Sequence, residues 1–131
     1  MRFNRPKRFV LAAVVVVALA VSSVALAAGG VAGTYTTKIN SPSELKGKWV
    51  LTLAKGGAYT VALNGRAMSR GRYAATATTI TLRETAAVGC GGSGTYACKR
   101  SGKTMQFIHK REAASCLARA AVLAHRFTQV R

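Results

Sequence analysis

Acidic residues are nearly missing from this 131-residue chain: Asp+Glu number 3 against Lys+Arg 20, a formal net charge of +17. That shortage counts against paired-carboxylate and carboxylate–metal chemistry, which need several acids in one place. Glu44 reads as a helix-start residue, Glu84 as a solvated loop residue beside Arg83, and Glu112 as the start of a helix. Histidine is as scarce, with only His109 and His125; the first reads as a strand-end residue near solvent and the second as a cation at a helix C-terminus. No Gly-x-Ser-x-Gly, His-Glu-x-x-His or phosphate-binding glycine loop occurs, and Gly91-Gly92-Ser93-Gly94 lacks the lysine and helix of one. A Cys98–His109 pair on neighbouring strands is the nearest approach to a nucleophile and base, but a catalytic thiol is out of place in an oxidising compartment. No nucleophile, base and orienting group come together, so the chain reads as non-catalytic. The cysteines and histidines show no Cys-x-x-Cys or His-x-x-x-His pair, so neither a metal site nor a cofactor is expected.

What is present begins with an apolar run. Met1 to Arg8 is basic, Phe9 to Ala27 carries no charge, and Ala25-Leu26-Ala27 puts small residues at −3 and −1. This predicts a signal helix over residues 1–27, cut after Ala27, with Ala28-Gly29-Gly30 as a flexible exit. The alternative is an uncleaved anchor, because the run nearly spans a bilayer. No cysteine follows it, which argues against a lipoprotein. The mature domain is then 28–131, secreted or held in the cell envelope. It keeps a net charge of +13, the +17 less Arg2, Arg5, Lys7 and Arg8. A hydrophobic fraction of 50% excludes disorder by composition, and the length allows one modest core.

The mature chain alternates as strands do. Trp49, Leu51 and Leu53 share one face, then Tyr59, Val61 and Leu63, and Asn64-Gly65 calls for a type I′ hairpin turn before Arg66–Ser69. Further runs are 34–39, 72–76, 79–83, 95–99, 103–109 and 126–130. With short connections at Lys55-Gly56-Gly57 and Ser101-Gly102, this predicts an all-β fold. The expected form is a small antiparallel up-and-down barrel of about eight strands. Alanine-rich 112–125 predicts a short helix before the last strand, with Ser115 as a candidate cap. Every Tyr and the single Trp follow a Gly by two residues: Gly33-x-Tyr35, Gly47-x-Trp49, Gly57-x-Tyr59, Gly71-x-Tyr73 and Gly94-x-Tyr96. Positions two apart share a strand face. The pattern therefore predicts a Gly making room for a neighbouring ring, and aromatics filling both ends of the interior.

Leu45-Lys46-Gly47-Lys48-Trp49 resembles the Gly-x-Trp start of the first strand in lipocalin-like (calycin) barrels. The resemblance implies a helical turn over Ser41–Leu45 and a barrel-floor pair in which a late arginine, here Arg126, lies over Trp49. The chain is also similar to small secreted bacterial domains with a late Cys, a Gly-x-Tyr strand, an apolar strand, a second Cys followed by x-x-Arg, and a short final strand. Here those are Cys90, Gly94-Thr95-Tyr96, Met105-Gln106-Phe107-Ile108, Cys116-Leu117-Ala118-Arg119 and Arg126-Phe127. It departs from that group at Cys98, often an aromatic there, and at Ala114, commonly an acid.

Three cysteines allow one bridge. Cys90 lies in a glycine-flanked loop and Cys116 at the crossover, so Cys90–Cys116 is the expected disulfide and Cys98 a core thiol. If Tyr73 points inward, Arg66, Arg70 and Arg72 point outward, while Lys99, Arg100, Lys103, Lys110 and Arg111 crowd a second region. These eight form the candidate anion-binding surface for an anionic cell-wall polymer or membrane. Nucleic acid is not expected, since the rings are committed to the core rather than to stacking. The protein is expected to be a monomer. The alternatives are a secreted protease inhibitor acting through Thr85–Gly89 and a small-molecule carrier. An open cavity would favour the carrier, and a filled interior, which is expected, would favour the surface.

Overall fold

The computed structural model describes residues 30–85 and 89–131. The expected leader, 1–27, and the centre of the Thr85–Gly89 loop lie outside the described residues.

Eight antiparallel strands close into a barrel in chain order. They are β1 (Gly33–Ile39), β2 (Gly47–Leu53), β3 (Ala58–Leu63), β4 (Arg66–Ala75), β5 (Thr79–Glu84), β6 (Ser93–Ser101), β7 (Thr104–Glu112) and β8 (Phe127–Gln129). A 3-10 turn, Ser43–Leu45, precedes β2. A second, Ala114–Cys116, leads into the helix α1, Leu117–Leu123, ahead of β8. The expected runs 66–69 and 72–76 are one strand, β4, because Gly71 lets it pass close to β5: a Cβ there would collide with the backbone of Arg83 and Glu84. Asn64 and Gly65 take φ of 50° and 84°, the double positive φ of a type I′ turn. Asn64 Oδ1 also accepts the Lys48 amide at 2.9 Å. Ser115 does not cap the helix, which has Cys116 at its N-cap position and no side-chain cap bond.

Alternation builds the core. Leu51, Leu53, Val61, Ile80, Leu82, Met105, Phe107 and Phe127 face inward with the five rings of the Gly-x-aromatic pattern, all buried. The glycines do not make room for rings, however. The space beside Gly94 is taken by the Glu112 carboxylate and that beside Gly47 by the Asn64 amide and a Leu63 methyl, so no ring enters these gaps.

Two irregularities re-aim side chains in the wall. The β3–β4 register slips after Val61, leaving Met68 as an extra residue between Ala67 and Ser69. The β6–β7 register slips between Thr95 and Tyr96, partners of Arg111 and His109, leaving Lys110 as the extra one. Each bulge shifts the inward–outward phase of its strand by one residue.

Candidate binding site at the helix end of the barrel

The Lys110 bulge decides where Glu112 points. Met105 and Phe107 face the core. Unbroken alternation from them would send Glu112 outward. The extra residue reverses the phase, and the Glu112 side chain is 0% exposed. Glu84, the last residue of β5, is inward by ordinary alternation with Ile80 and Leu82, and its side chain is 1% exposed. Neither glutamate is the solvated or helix-starting residue that the sequence suggests.

Between them lies Arg119 of α1, buried. Its Nε and Nη2 donate to the two oxygens of Glu112 at 3.1 and 2.6 Å, a bidentate fork. Nη2 also donates to the Gly92 carbonyl at 3.0 Å, and Nη1 to the Tyr59 hydroxyl at 3.2 Å. Nη1 stands 3.8 Å from Glu84 Oε1. Ser69 Oγ and the Gly91 amide donate to Glu84, while the Tyr96 hydroxyl and the Ala113 amide donate to Glu112. Because Ser69 donates to Glu84, the 3.1 Å contact between Tyr59 and Ser69 must run from the Tyr59 hydroxyl to Ser69 Oγ. An unbroken line of donors then runs from Arg119 through Tyr59 and Ser69 to Glu84. Among the described residues no buried side-chain polar atom lacks a partner.

The electrostatics follow from burial and pairing. Burial alone would raise the Glu112 carboxyl, but the Arg119 and Tyr96 hydrogen bonds and the Arg119 charge hold it below its ordinary value. Burial likewise opposes the Arg119 charge, and Glu112 outweighs it, so the guanidinium is held more firmly protonated than usual. Burial first, then the bond to anionic Glu112, drives the Tyr96 phenol well above its ordinary value. Tyr59 is raised too, chiefly by burial.

The expected disulfide is formed. Cys90 and Cys116, 26 residues apart, are bonded and tie the loop before β6 to the start of α1. Glu84 lies within 4.8 Å of both sulfurs. Those sulfurs are spent in the bridge and offer no thiolate, so the trio does not make a metal site.

The helix end is open. A cavity of about 400 Å³ lies between α1, the Ser43–Leu45 turn and the strand walls. Trp49, Val61, Val122 and Leu123 line it with apolar surface, Ser69, Glu84 and Arg119 supply its polar groups, and Glu44 and the half-exposed Met68 stand at the rim. The expectation of an interior filled at both ends is corrected here. The rings at this end are pinned by their polar atoms, Trp49 Nε1 to the Leu45 carbonyl at 2.7 Å and Tyr59 and Tyr96 to the ionic cluster, and they leave the space under the helix free.

The opposite end is closed. The Tyr35 hydroxyl donates to the Val31 carbonyl and that of Tyr73 to the Ala54 carbonyl, both at 2.7 Å. Arg100 lies over the Tyr35 ring, 5.9 Å from its centroid, and donates to the Tyr35 hydroxyl, Gln129 Oε1 and the Gly30 carbonyl.

The remaining residues singled out in the sequence fall in several places. Trp49 and Arg126 are not brought together: Phe127 is buried, so its neighbour Arg126 faces outward, where it lines an outer-wall groove with Lys99, Arg100, Ser101, Thr104 and Gln106. The arginine over a ring is Arg100, on the inward phase of β6 with Tyr96 and Cys98; it caps Tyr35 at the barrel end and also borders the outer groove. Arg70 and Arg72 do share the outer face of β4, with Arg83 opposite Arg72. Arg66 does not join them. The Met68 bulge puts it on the pleat face of its partner Leu63, at the rim. Lys99, Lys103, Lys110 and Arg111 are exposed on and around β6 and β7. Cys98 is a free, partly buried thiol, pushed up to about 11 by burial.

Sequence reasoning missed Glu84, Glu112 and Ser69 as site residues. For the two glutamates the one usable signal is scarcity: of the three acids in a chain of net charge +17, two are paired with a buried arginine. In comparisons with protein-family models, curated proteins and solved structures, nothing matches the chain.

Proposed function

We propose that this barrel is a non-catalytic binding module of the extracellular space or cell envelope, acting as a monomer. In this reading its cationic wall takes an anionic cell-wall polymer or membrane surface. The observation that carries it is the segregation of charge. Among the described residues every lysine and arginine except Arg119 is exposed, and Glu44 is the sole exposed acid. An anionic chain laid on this wall meets almost no repulsion. The outer groove of about 370 Å³, with Lys99, Arg100 and Arg126 beside the hydroxyls of Ser101 and Thr104, is the place where such a ligand would gain most. The disulfide suits an oxidising compartment. A lipocalin-like assignment is supported by the helical turn before Gly47-x-Trp49, with the late arginine on the outer wall as its departure.

The test is retention on anionic vesicles and on purified cell-wall polymer across a salt series. Retention at low salt should vanish at high salt, because exposed charges are screened beyond about 10 Å at 0.1 M. Charge reversal of Arg70 with Arg72, or of Lys99 with Arg126, should lower it. Retention that is absent at low salt, or indifferent to salt and to both reversals, rejects the reading.

A second reading is favoured by one observation, the cavity at the helix end. Its volume, about 400 Å³, lies within the range of small-ligand pockets, and its walls are mostly apolar. The barrel then carries a small molecule under the helix, independently of the outer wall.

A further inference from the structure

We propose that the cavity at the helix end binds a small organic molecule with an apolar body and a protonated amine head, the head seated against Glu84. This rests on the small-molecule reading above and names its ligand.

The balance of donors and acceptors selects the head. Arg119 has five N–H donors. Four are spent on Glu112, Gly92 and Tyr59, and the fifth faces Glu84. The Tyr59 hydroxyl gives its proton to Ser69, and Ser69 gives its own to Glu84. Few side-chain donors are left over for a ligand carboxylate or phosphate: that last N–H, 3.8 Å from Glu84, and the exposed Ser115 hydroxyl at the cavity. Buried acceptors are left over as well. A carboxylate has about four lone-pair sites. Glu84 receives only Ser69 and the Gly91 amide as hydrogen bonds, with Arg119 Nη1 at the longer 3.8 Å. Of the two buried glutamates, it is Glu84 that lines the cavity.

Charge points the same way. Two carboxylates share one guanidinium, and both Glu84 oxygens accept hydrogen bonds, so the cluster holds one negative charge in excess at the inner edge of the cavity. A positive head would balance it, whereas an anionic head would add a second excess charge. The walls then select the body. Trp49, Leu45, Val61, Val122 and Leu123 offer apolar surface, which a sugar or a free amino acid would leave poorly matched, and which an alkyl or aryl chain would cover. Trp49, an indole of the kind that attracts cations, also lines the cavity.

The chain provides its own reporter, since Trp49 is its single tryptophan and lines the cavity. The purified protein is titrated with n-octylamine, n-octanol and octanoate at neutral pH, followed by indole emission and in parallel by calorimetry. These three share a body and differ in the head. Octylamine should saturate a single site roughly ten-fold or more tighter than octanol, the difference expected of a hydrogen bond to a charged group, and octanoate should not bind there. Glu84→Gln should erase the advantage of octylamine and leave octanol unchanged. Ala118→Phe, made at an exposed helix position that lines the cavity, should abolish binding of both octylamine and octanol. If Glu84→Gln fails to fold, the ranking of the three heads on the unaltered protein still decides. Octanol or octanoate binding as tightly as octylamine in a manner blocked by Ala118→Phe overturns the amine assignment and keeps the carrier reading. Octylamine binding that ignores Glu84→Gln overturns the Glu84 seat. No binding of any of the three removes both the amine assignment and the carrier reading.

Discussion

Arg100 and Arg119 sit at opposite ends of the barrel, each donating to a tyrosine hydroxyl, Tyr35 at 2.6 Å and Tyr59 at 3.2 Å. Around Arg100 the partners are neutral: a phenol, an amide oxygen and a carbonyl. Around Arg119 two of the partners are carboxylates, and the arginine is buried with them. The neutral end is shut by tyrosine hydroxyls bonded to backbone, and its arginine is still reached by water. The ionic end is held open around a cavity, and its charges depend on one another. Position in a barrel therefore does not decide what an arginine does there. The availability of a buried acid does.

Four experiments bear on this contrast. The largest effect is expected from Arg119→Met, which leaves two buried carboxylates without their cation and should cost roughly 3–5 kcal/mol. Chemical denaturation would show it, and a loss below about 1 kcal/mol would mean that Arg119 is not an internal counterion. Next comes the Cys90–Cys116 bridge. A 26-residue separation puts its contribution at roughly 3–4 kcal/mol in the chain-entropy model. Because the bridge touches only the helix end, Cys90→Ala with Cys116→Ala should expose amides of residues 113–123 to hydrogen exchange before those of β1 and β2. Uniform loss of protection would contradict two independently fastened ends.

Titration separates the ends without mutation. Glu112 has a depressed folded pKa, so its contribution is present above the ordinary value of 4.5 and lost as pH falls from there through the folded value. Acid should loosen the helix end first, and Arg119→Met should remove that step. Alkali should not distinguish them. Tyr35, Tyr59, Tyr73 and Tyr96 are all raised by burial, two at each end, so stability is full below pH 10.0 and falls as pH rises above it. Phenolate absorbance should therefore appear together with unfolding and not before it. The smallest effect belongs to Arg100→Met. Its ring contact and exposed hydrogen bonds should be worth no more than about 1 kcal/mol. A cost equal to that of Arg119→Met would erase the distinction between the ends.

Much of the wall was legible in the sequence because period-two alternation and turn chemistry are local. Asn64-Gly65 names its own turn, and the eight strands lie within a few residues of the expected runs. The disulfide was legible because a glycine-flanked loop and a crossover leave two cysteines free to meet. The ionic site was not, for a reason that alternation itself supplies. Glu112 follows exposed His109, Lys110 and Arg111, and nothing local marks Lys110 as a bulge. Its phase is set by pairing with Thr95 and Tyr96, which requires the folded sheet. The interior was misjudged because counting rings says how much aromatic volume is present and not which polar atom each ring is tied to. Arg126 was misassigned for a similar reason, since a late arginine can reach the interior only from an inward position, and Phe127 holds that position on β8.

The closing seam pairs Tyr35 with Gln129, nearly the two extremes of the described chain, and it does so through a strand of only three residues. Every other strand of the barrel finds its neighbour soon after it is made. This one must wait for β8. During synthesis β1 is left as a bare sheet edge until residues 127–129 are made and free to pair, and bare edges recruit other chains. Losing β8 would therefore not trim the molecule. It would leave an open sheet with hydrogen-bonding edges at both sides, and the chain's time spent in that condition is set by how fast the longest loop in its topology can close.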